Sequence, residues 1–224
     1  MANLDSSSLI LVNKHLRPGL YRLIVKTSRH RAAKRGIMAN VLAILRQDHE
    51  NMSQLLDALE RQIDTFDSGG KPDLEIILAI ADYVLGYPDR FHHPVEDLVL
   101  EALRQRDAAA AKPAEGLEDK HERIGQLARD FNTAVETLIS DEPARRIDFL
   151  DTTRAFIAAM RNHIAHEDTE FFPAAEAALS QGDLDRLADH LPQFDDPLFG
   201  TADRDSYVRL RQNILDWNDS EIAD

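Results

Sequence analysis

Residues 41–66 have the sequence VLAILRQDHENMSQLLDALERQIDTF, in which apolar side chains recur every three or four residues. This spacing places them on one face of an α-helix, because the helix completes a turn about every 3.6 residues. A polar residue, His49, stands on that face where a leucine is expected. The pattern predicts a long helix, about 37–66, with a histidine among its buried residues. The apolar positions are Val41, Leu45, Met52, Leu56, Leu59, Ile63 and Phe66.

Three later segments, about 74–105, 117–140 and 144–180, repeat the pattern, and each carries a histidine on its apolar face. Glycine and proline in 69–73, 107–116 and 141–143 separate them. Pro88 and Pro94 each remove a backbone hydrogen bond and should bend the second segment. Four amphipathic helices with short connections predict an all-α fold, an up-down-up-down antiparallel four-helix bundle. The three histidines are His92, His121 and His163.

These four histidines lie at nearly equal distances from the predicted turns. If the chain doubles back at each turn, all four imidazoles meet at one level of the bundle. Glu96 and Glu167, four residues after His92 and His163, join that level because residues four apart share a helix face. Buried carboxylates are costly unless they are paired or bind a metal. A two-metal site is the preferred interpretation, and a metal-free histidine–glutamate network is the alternative.

Composition narrows the classes of function. The chain has 224 residues and no cysteine, which excludes disulfides, thiolate metal sites and cysteine nucleophiles. The longest apolar run near the start, Leu9 to Val12, is too short for a signal sequence or a transmembrane segment. We therefore expect a cytoplasmic protein with three parts: a basic helical arm (1–36), the bundle (37–181) and short C-terminal helices (182–224) that brace the bundle.

Charge is unevenly distributed along the chain. Residues 1–47 contain nine Lys or Arg and one acid, which leaves a charge of −22 on the remainder of a chain whose net charge is −14. Such an acidic body is not expected to bind nucleic acid, because phosphate contacts require positive charge. For the arm, contact with its own acidic bundle is favoured. A partner protein or a membrane surface is the alternative.

Four short segments together resemble the hemerythrin-like (HHE cation-binding) domains across about residues 37–180. They are DHENM (48–52), FHHPVED (91–97), KHE (120–122) and HIAHEDTEFFP (163–173). The resemblance implies a four-helix bundle around a non-haem di-iron centre. It also implies the metal-ligand set, with the histidines as terminal ligands and the glutamates as bridges: His49, His92, Glu96, His121, His163 and Glu167.

The chain departs from the oxygen-carrying hemerythrins at two positions. Those proteins have a fifth histidine one turn after the third-helix histidine, where this chain has Gly125. They also place the last carboxylate at the position of Asp168. Glu167 is preferred here because a residue four positions on lies about 40° around an ideal helix, against about 140° for five. His93 should lie outside the ligand set, near the surface. For His166, an outer or boundary role is favoured over a role as a replacement ligand.

Function follows from the ligand count. Mixed nitrogen and oxygen donors without sulfur favour two iron ions, with manganese or zinc as alternatives. Positions left open on the ions suit a small diatomic gas or peroxide (O2, NO or H2O2). The alternative is an iron-sensing or metal-handling module without turnover. A binding protein is preferred, and a weak oxidoreductase or peroxide-scavenging activity stays open. Repair of iron clusters is disfavoured, because the resembling repair proteins carry an N-terminal cysteine pair.

Overall fold

The computed structural model describes residues 41–139, 146–191, 196–200, 207–208, 210–214 and 216. Throughout this part of the chain the regular structure is helical, and it contains no β-strand. The all-α fold class predicted from the apolar spacing is therefore confirmed. The predicted basic arm, 1–36, lies outside the described residues, and its proposed contacts stay predictions.

The first two helices correspond to the first predicted segment and the first half of the second. Helix α1 spans Val41–Asp67 and helix α2 spans Leu74–Tyr87. Gly69 lies between them with φ of 89°, a left-handed conformation that glycine adopts without steric cost. Asp73 begins α2, and its carboxylate accepts hydrogen bonds from the backbone N–H groups of Glu75 and Ile76.

Two wide π-helical turns interrupt the predicted second and fourth segments. The first spans Pro88–His92 and continues into helix α3, His93–Arg106. The second, Glu167–Phe171, separates helix α5, Arg146–His166, from helix α6, Phe172–Ala178. The expected disturbance of the second segment at Pro88 thus takes the form of a widened turn.

The remaining elements connect and extend these helices. A short 3-10 turn, Lys112–Ala114, precedes helix α4, Leu117–Ile139. Helix α7, Gln181–His190, begins with a capping box in which the side chains of Ser180 and Asp183 each bond the other's backbone. The predicted loop at 107–116 and the predicted start of the third segment at 117 agree with these bounds.

Helix packing creates two separate apolar clusters. Helix α1 contacts α2 and α5, and α4 contacts the same two helices. The first cluster joins buried side chains of these four helices around Leu59, Ile80, Phe131 and Phe156. The second joins α1, α3, α6 and α7 around Leu45, Val99, Phe172 and Leu184. Burying one side chain of this size stabilises the folded state by about 1.5–3 kcal/mol relative to leaving it exposed to water.

The boundary between the clusters falls at the predicted level of the histidines. On α1, Leu45 belongs to the second cluster and Met52 to the first, with His49 between them. On α4, Leu117 and Ile124 flank His121 in the same way. The polar level is therefore sandwiched between two apolar layers that restrict water on both sides.

The described C-terminal residues pack against the bundle. Leu198, Tyr207, Leu210 and Ile214 are buried in the first apolar cluster. This placement agrees with the expected bracing role of the segment after residue 182. Across the described residues, the helices lack the length and apolar content needed to cross a membrane.

Candidate metal centre

Separate helices deliver the six predicted ligands to one place. His49 comes from α1, His121 from α4 and His163 from α5. His92 is the last residue of the first π-helical turn. Glu96 on α3 and Glu167 at the start of the second π-helical turn are fully buried, with no exposed surface.

Each glutamate faces imidazoles from more than one helix. The Oε1 atom of Glu96 is 3.2 Å from Nε2 of His92, and its Oε2 atom is 3.3 Å from Nε2 of His121. The Oε2 atom of Glu167 is 3.2 Å from Nε2 of His49 and 3.3 Å from Nε2 of His163. Its other oxygen, Oε1, lies 3.5 Å from Nε2 of His121. Each of the two carboxylates therefore has its two oxygens turned toward different imidazoles.

The donor atoms form two groups that share Glu96. In each group, one donor atom per residue lies within 4.8 Å of all the others. The first donor group contains three imidazoles and one carboxylate: His93, Glu96, His121 and His163. The second donor group contains two imidazoles and two carboxylates: His49, His92, Glu96 and Glu167. The structure thus brings all six predicted residues together and adds a seventh.

The added residue corrects a sequence-based expectation. His93 was expected near the surface because adjacent residues point about 100° apart on an ideal helix. It is instead buried, and its ring stacks on that of His121 with centroids 3.9 Å apart. The expectation was wrong because the backbone just before His93 is a π-helical turn, in which the N–H of His93 bonds to the carbonyl of Pro88.

Three aspartates hold three of the five histidines from outside. The Nδ1 atom of His49 lies 2.9 Å from Asp168, and that of His92 lies 3.1 Å from Asp48. The third pair joins Nδ1 of His93 to Asp89 at 3.1 Å. A carboxylate only accepts hydrogen bonds, so each Nδ1 carries the proton and donates it. In a metal-bound centre, the Nε2 atom of each such ring is then the nitrogen left to act as a ligand.

Two ring nitrogens that face each other need either a metal cation or a proton between them. The Nε2 atoms of His49 and His92 are 3.1 Å apart, and in the neutral rings both are acceptors. Seven further buried atoms of the centre have no hydrogen-bond partner. Leaving buried polar atoms unpaired is costly, which disfavours the metal-free network. These atoms are both carboxylate oxygens of Glu96, both of Glu167, both ring nitrogens of His163 and Nε2 of His121.

The pKa shifts of the buried groups show that positive charge is favoured in this centre. Burial lowers the pKa of His92 and His121, but the adjacent carboxylates outweigh it and raise these pKa values to about 10 and about 9. Burial also raises the pKa of Glu96, yet the neighbouring imidazolium charges hold it well below its usual value. Protons on two histidines therefore balance the buried carboxylates when no other cation does.

The other two histidines for which a shift is resolved behave oppositely. Burial lowers the pKa of His163 to about 2 and that of His93 to about 4. Both rings are therefore neutral near pH 7. A neutral imidazole has a lone pair free for a metal, so the donor chemistry fits one or two cations held by nitrogen and oxygen atoms.

The remaining sequence candidates lie around this centre. Asp168 contacts His49 from outside, with Glu167 in the buried position. His166 turns away, with Nε2 donating to the carbonyl of Pro113 at 2.8 Å and Nδ1 lying 3.5 Å from Glu170. This position matches the favoured boundary role.

Sequence reasoning missed the aspartates behind the histidines. Asp48 and Asp89 accept from ligand-facing rings, and Tyr87 donates to Asp48 at 2.9 Å. The sequence does carry one usable signal, since Asp89 precedes His93 by four residues and so shares its helix face. The Asp48–His92 pair joins residues 44 apart in the sequence and depends on the tertiary fold.

Comparison with known proteins agrees with this geometry. The family model described as "Hemerythrin HHE cation binding domain" matches residues 40–175. No curated protein and no solved structure gives a significant match to the chain. The matched range includes every residue of both donor groups.

Proposed function

The chain belongs to the hemerythrin HHE cation-binding domain family, and on that premise we propose that it holds a pair of iron ions, with manganese or zinc as the alternatives. His49 and His92 are terminal ligands on one side, and His121 and His163 are terminal ligands on the other. Glu96 and Glu167 bridge the two ions.

The observation that carries this proposal is the convergence of seven buried nitrogen and oxygen atoms that have no hydrogen-bond partner. They are contributed by both predicted bridging glutamates and by two of the predicted histidine ligands. A structural core without a ligand would bury such atoms against donors or leave them in water. Their convergence on one level, together with nitrogen and oxygen donors and no sulfur, supports cation binding of this type.

The helix contacts support the finer architecture. Helix α1 packs on α2 and α5, and α4 packs on the same two helices, which is the neighbour pattern of a closed ring. We propose that these four helices run up, down, up and down, with α3 and α6 continuing α2 and α5 beyond the π-helical turns. This arrangement supports the delivery of one histidine per helix to a common level.

For function, we propose that the centre binds, senses or processes a small diatomic or peroxide ligand: O2, NO or H2O2. Bound iron ions would supply open coordination positions and redox chemistry for such a molecule. The chain's own contribution is exclusion of water and orientation of the donors. Phe172 stacks on His49 with ring centroids 5.1 Å apart, and the two apolar clusters cover the centre on either side.

The proposal is tested with anaerobically purified protein loaded with Fe(II). We expect close to two irons per chain and an ultraviolet–visible spectrum that changes on addition of O2, NO or H2O2. If iron binds and raises thermal stability but none of the three molecules alters the spectrum, the iron-sensing or metal-handling alternative replaces small-molecule binding. Protein that retains no metal would contradict both.

The setting of the protein is part of the proposal. We place it in the cytoplasm, because a chain without cysteine suits a reducing compartment. The acidic charge of residues 48–224 supports a role without nucleic acid. We also propose that the basic arm contacts the acidic part of its own chain, in preference to a partner or a membrane surface.

A further inference from the structure

His93 lies among the donor atoms of the centre, where only its neighbour His92 was expected. Its ring lies almost parallel to that of His121, at an interplanar angle of 12°, and meets the ring of His163 edge-on at 6.0 Å. A donor atom of His93 lies within 4.8 Å of those of Glu96, His121 and His163. Two consecutive histidines, His92 and His93, therefore serve different donor groups.

The π-helical turn makes this arrangement feasible. The N–H of His93 bonds to the carbonyl of Pro88, five residues earlier, where an α-helix would use Asp89. Pro94 follows and has no N–H to donate, so the ordinary bonding pattern is already broken there. The wider turn changes the register of the backbone and lets both imidazoles enter the centre.

Asp89 fixes the orientation of the His93 ring. It accepts from Nδ1 at 3.1 Å, which leaves the Nε2 lone pair for the centre. The same relationship joins His49 to Asp168 and His92 to Asp48. A carboxylate on the outer nitrogen is the usual support of a metal-bound imidazole, and His93 shares it with two predicted ligands.

Gly125 lies beside Asp89 and supplies no imidazole of its own. It lies one turn after His121 on α4, so a side chain there would project on the same face. A Cβ at this position would lie 3.8 Å from Oδ2 of Asp89 and 3.4 Å from Nη1 of Arg129. These are ordinary contact distances, so it is the missing imidazole and not a steric gap that matters here: the third imidazole of the first donor group comes from α3 instead of α4.

We infer that His93 is an additional metal ligand, positioned by Asp89, which gives the two ions unequal surroundings. The ion beside His121 and His163 has three imidazoles, whereas the ion beside His49 and His92 has two. This inference rests on the proposed function, because it presumes that ions occupy the centre.

The inference is tested by metal content after dialysis against a chelator. The parent should keep about two irons per chain, and His93→Ala should keep about one. Asp89→Asn should keep two but lose them at chelator concentrations 10-fold to 100-fold lower, the range typical of lost outer support. His166→Ala is the matched control, because His166 contacts Pro113 and Glu170 outside the centre, and it should behave as the parent.

A compensating variant separates a lost ligand from a damaged fold. In His93→Ala with Gly125→His, a new imidazole projects into the vacated space from α4. Recovery of the second iron would support a ligand role for His93. A His93→Ala protein that keeps both irons with unchanged chelator resistance would overturn the inference while leaving the proposed function intact. A parent without metal would instead remove the proposed function.

A measurement on the unmodified chain covers the case in which the variant does not fold. Histidine labelled with 15N is introduced and the protein is loaded with Zn(II), which is diamagnetic. We expect five rings, including His93, to shift at Nε2 from the unliganded to the metal-bound range. Four shifted rings, with His93 unchanged, would contradict the inference.

Discussion

His49 and Asp168 lie 119 residues apart in the sequence, yet Nδ1 of the histidine donates to Oδ1 of the aspartate at 2.9 Å. The neighbouring Glu167 points Oε2 at the other nitrogen of the same ring, 3.2 Å away. Two consecutive acids therefore act on opposite sides of one imidazole. The buried acid faces the centre, and the acid that is 37% exposed fixes the ring from behind.

Asp168→Asn should weaken iron binding without abolishing it. The amide still fills the site but binds the Nδ1–H less strongly, so His49 becomes a poorer and less well oriented donor. We expect a 10-fold to 100-fold loss of affinity in a chelator competition. Glu170→Gln, two residues away and exposed, is the control and should leave affinity unchanged. Equal affinities for the parent and Asp168→Asn would show that this hydrogen bond has no role in binding.

Metal removal should destabilise the protein. Ions that bind the folded chain but not the unfolded chain stabilise the fold by mass action. The gain is about 1.4 kcal/mol per ion for each tenfold rise in free metal above Kd. Thermal unfolding at increasing concentrations of free Fe(II), under argon, measures this dependence. We expect a steadily rising Tm in the parent and a weaker rise in His121→Ala, which lacks one donor of the first group. A Tm independent of free metal would contradict occupancy of the centre.

Tyr87→Phe should affect both stability and metal binding. Tyr87 donates to Oδ1 of Asp48, whose Oδ2 accepts from His92, so the hydroxyl holds the carboxylate that orients a ligand. Its removal leaves a buried acceptor with one partner fewer, at a cost of about 1–3 kcal/mol. Urea unfolding and chelator competition measure the two effects.

Tyr83→Phe is the matched control for this prediction. Tyr83 is buried and stacks on Tyr87, but its hydroxyl donates to Asp196 at 2.7 Å, away from the ligands. It should lose stability with little change in iron affinity. If both variants lose affinity equally, the effect belongs to the tyrosine stack and not to Asp48.

Asp183 should make the start of helix α7 sensitive to acid. Burial raises its pKa, but the hydrogen bonds from Ser180 and the charge of Arg186 outweigh burial, so the net shift is downward. A carboxyl with a lowered pKa stabilises the fold above its unfolded value of about 3.9 and loses this effect as the pH falls through the folded value. The stabilising contribution is therefore present at pH 7.

Asp183→Ala should accordingly unfold more easily than the parent at pH 7, by about 0.5–2 kcal/mol, the range for loss of a helix cap. The difference should shrink as the pH falls toward 3. Asp185→Ala, on the same helix and half-buried, removes only a carboxylate that accepts from the exposed Gln181, and it is the control with little effect. Urea unfolding of both proteins at pH 7 and near pH 3 measures this difference in stability. A difference that grows in acid would contradict the lowered pKa of Asp183.

Regular helical periodicity was enough to predict much of this centre. His49, His121 and His163 each occupy a position where an apolar residue would continue the helix face, so ideal geometry brings them to one level of the bundle. The preference for Glu167 over Asp168 in the buried position followed from the same geometry. The placement of these side chains needed no information on contacts between helices beyond the positions of the turns.

The parts that were missed depend on departures from ideal geometry. His93 enters the centre because a π-helical turn precedes it. In such a turn, adjacent side chains are not spaced by the 100° of an ideal α-helix. The combination of Pro94 after His93 and Gly125 facing Asp89 was the available sequence signal. Asp48 could not be assigned to His92 from the sequence, because their contact depends on how α1 and the π-helical turn meet in three dimensions.

The most direct test of the account is a crystal structure of the iron-loaded protein with anomalous diffraction recorded at the iron absorption edge. We expect two anomalous peaks about 3.5–4 Å apart, both between Glu96 and Glu167, one beside His121 and His163 and the other beside His49 and His92. A single peak, or peaks located outside the two donor groups, would contradict the paired centre.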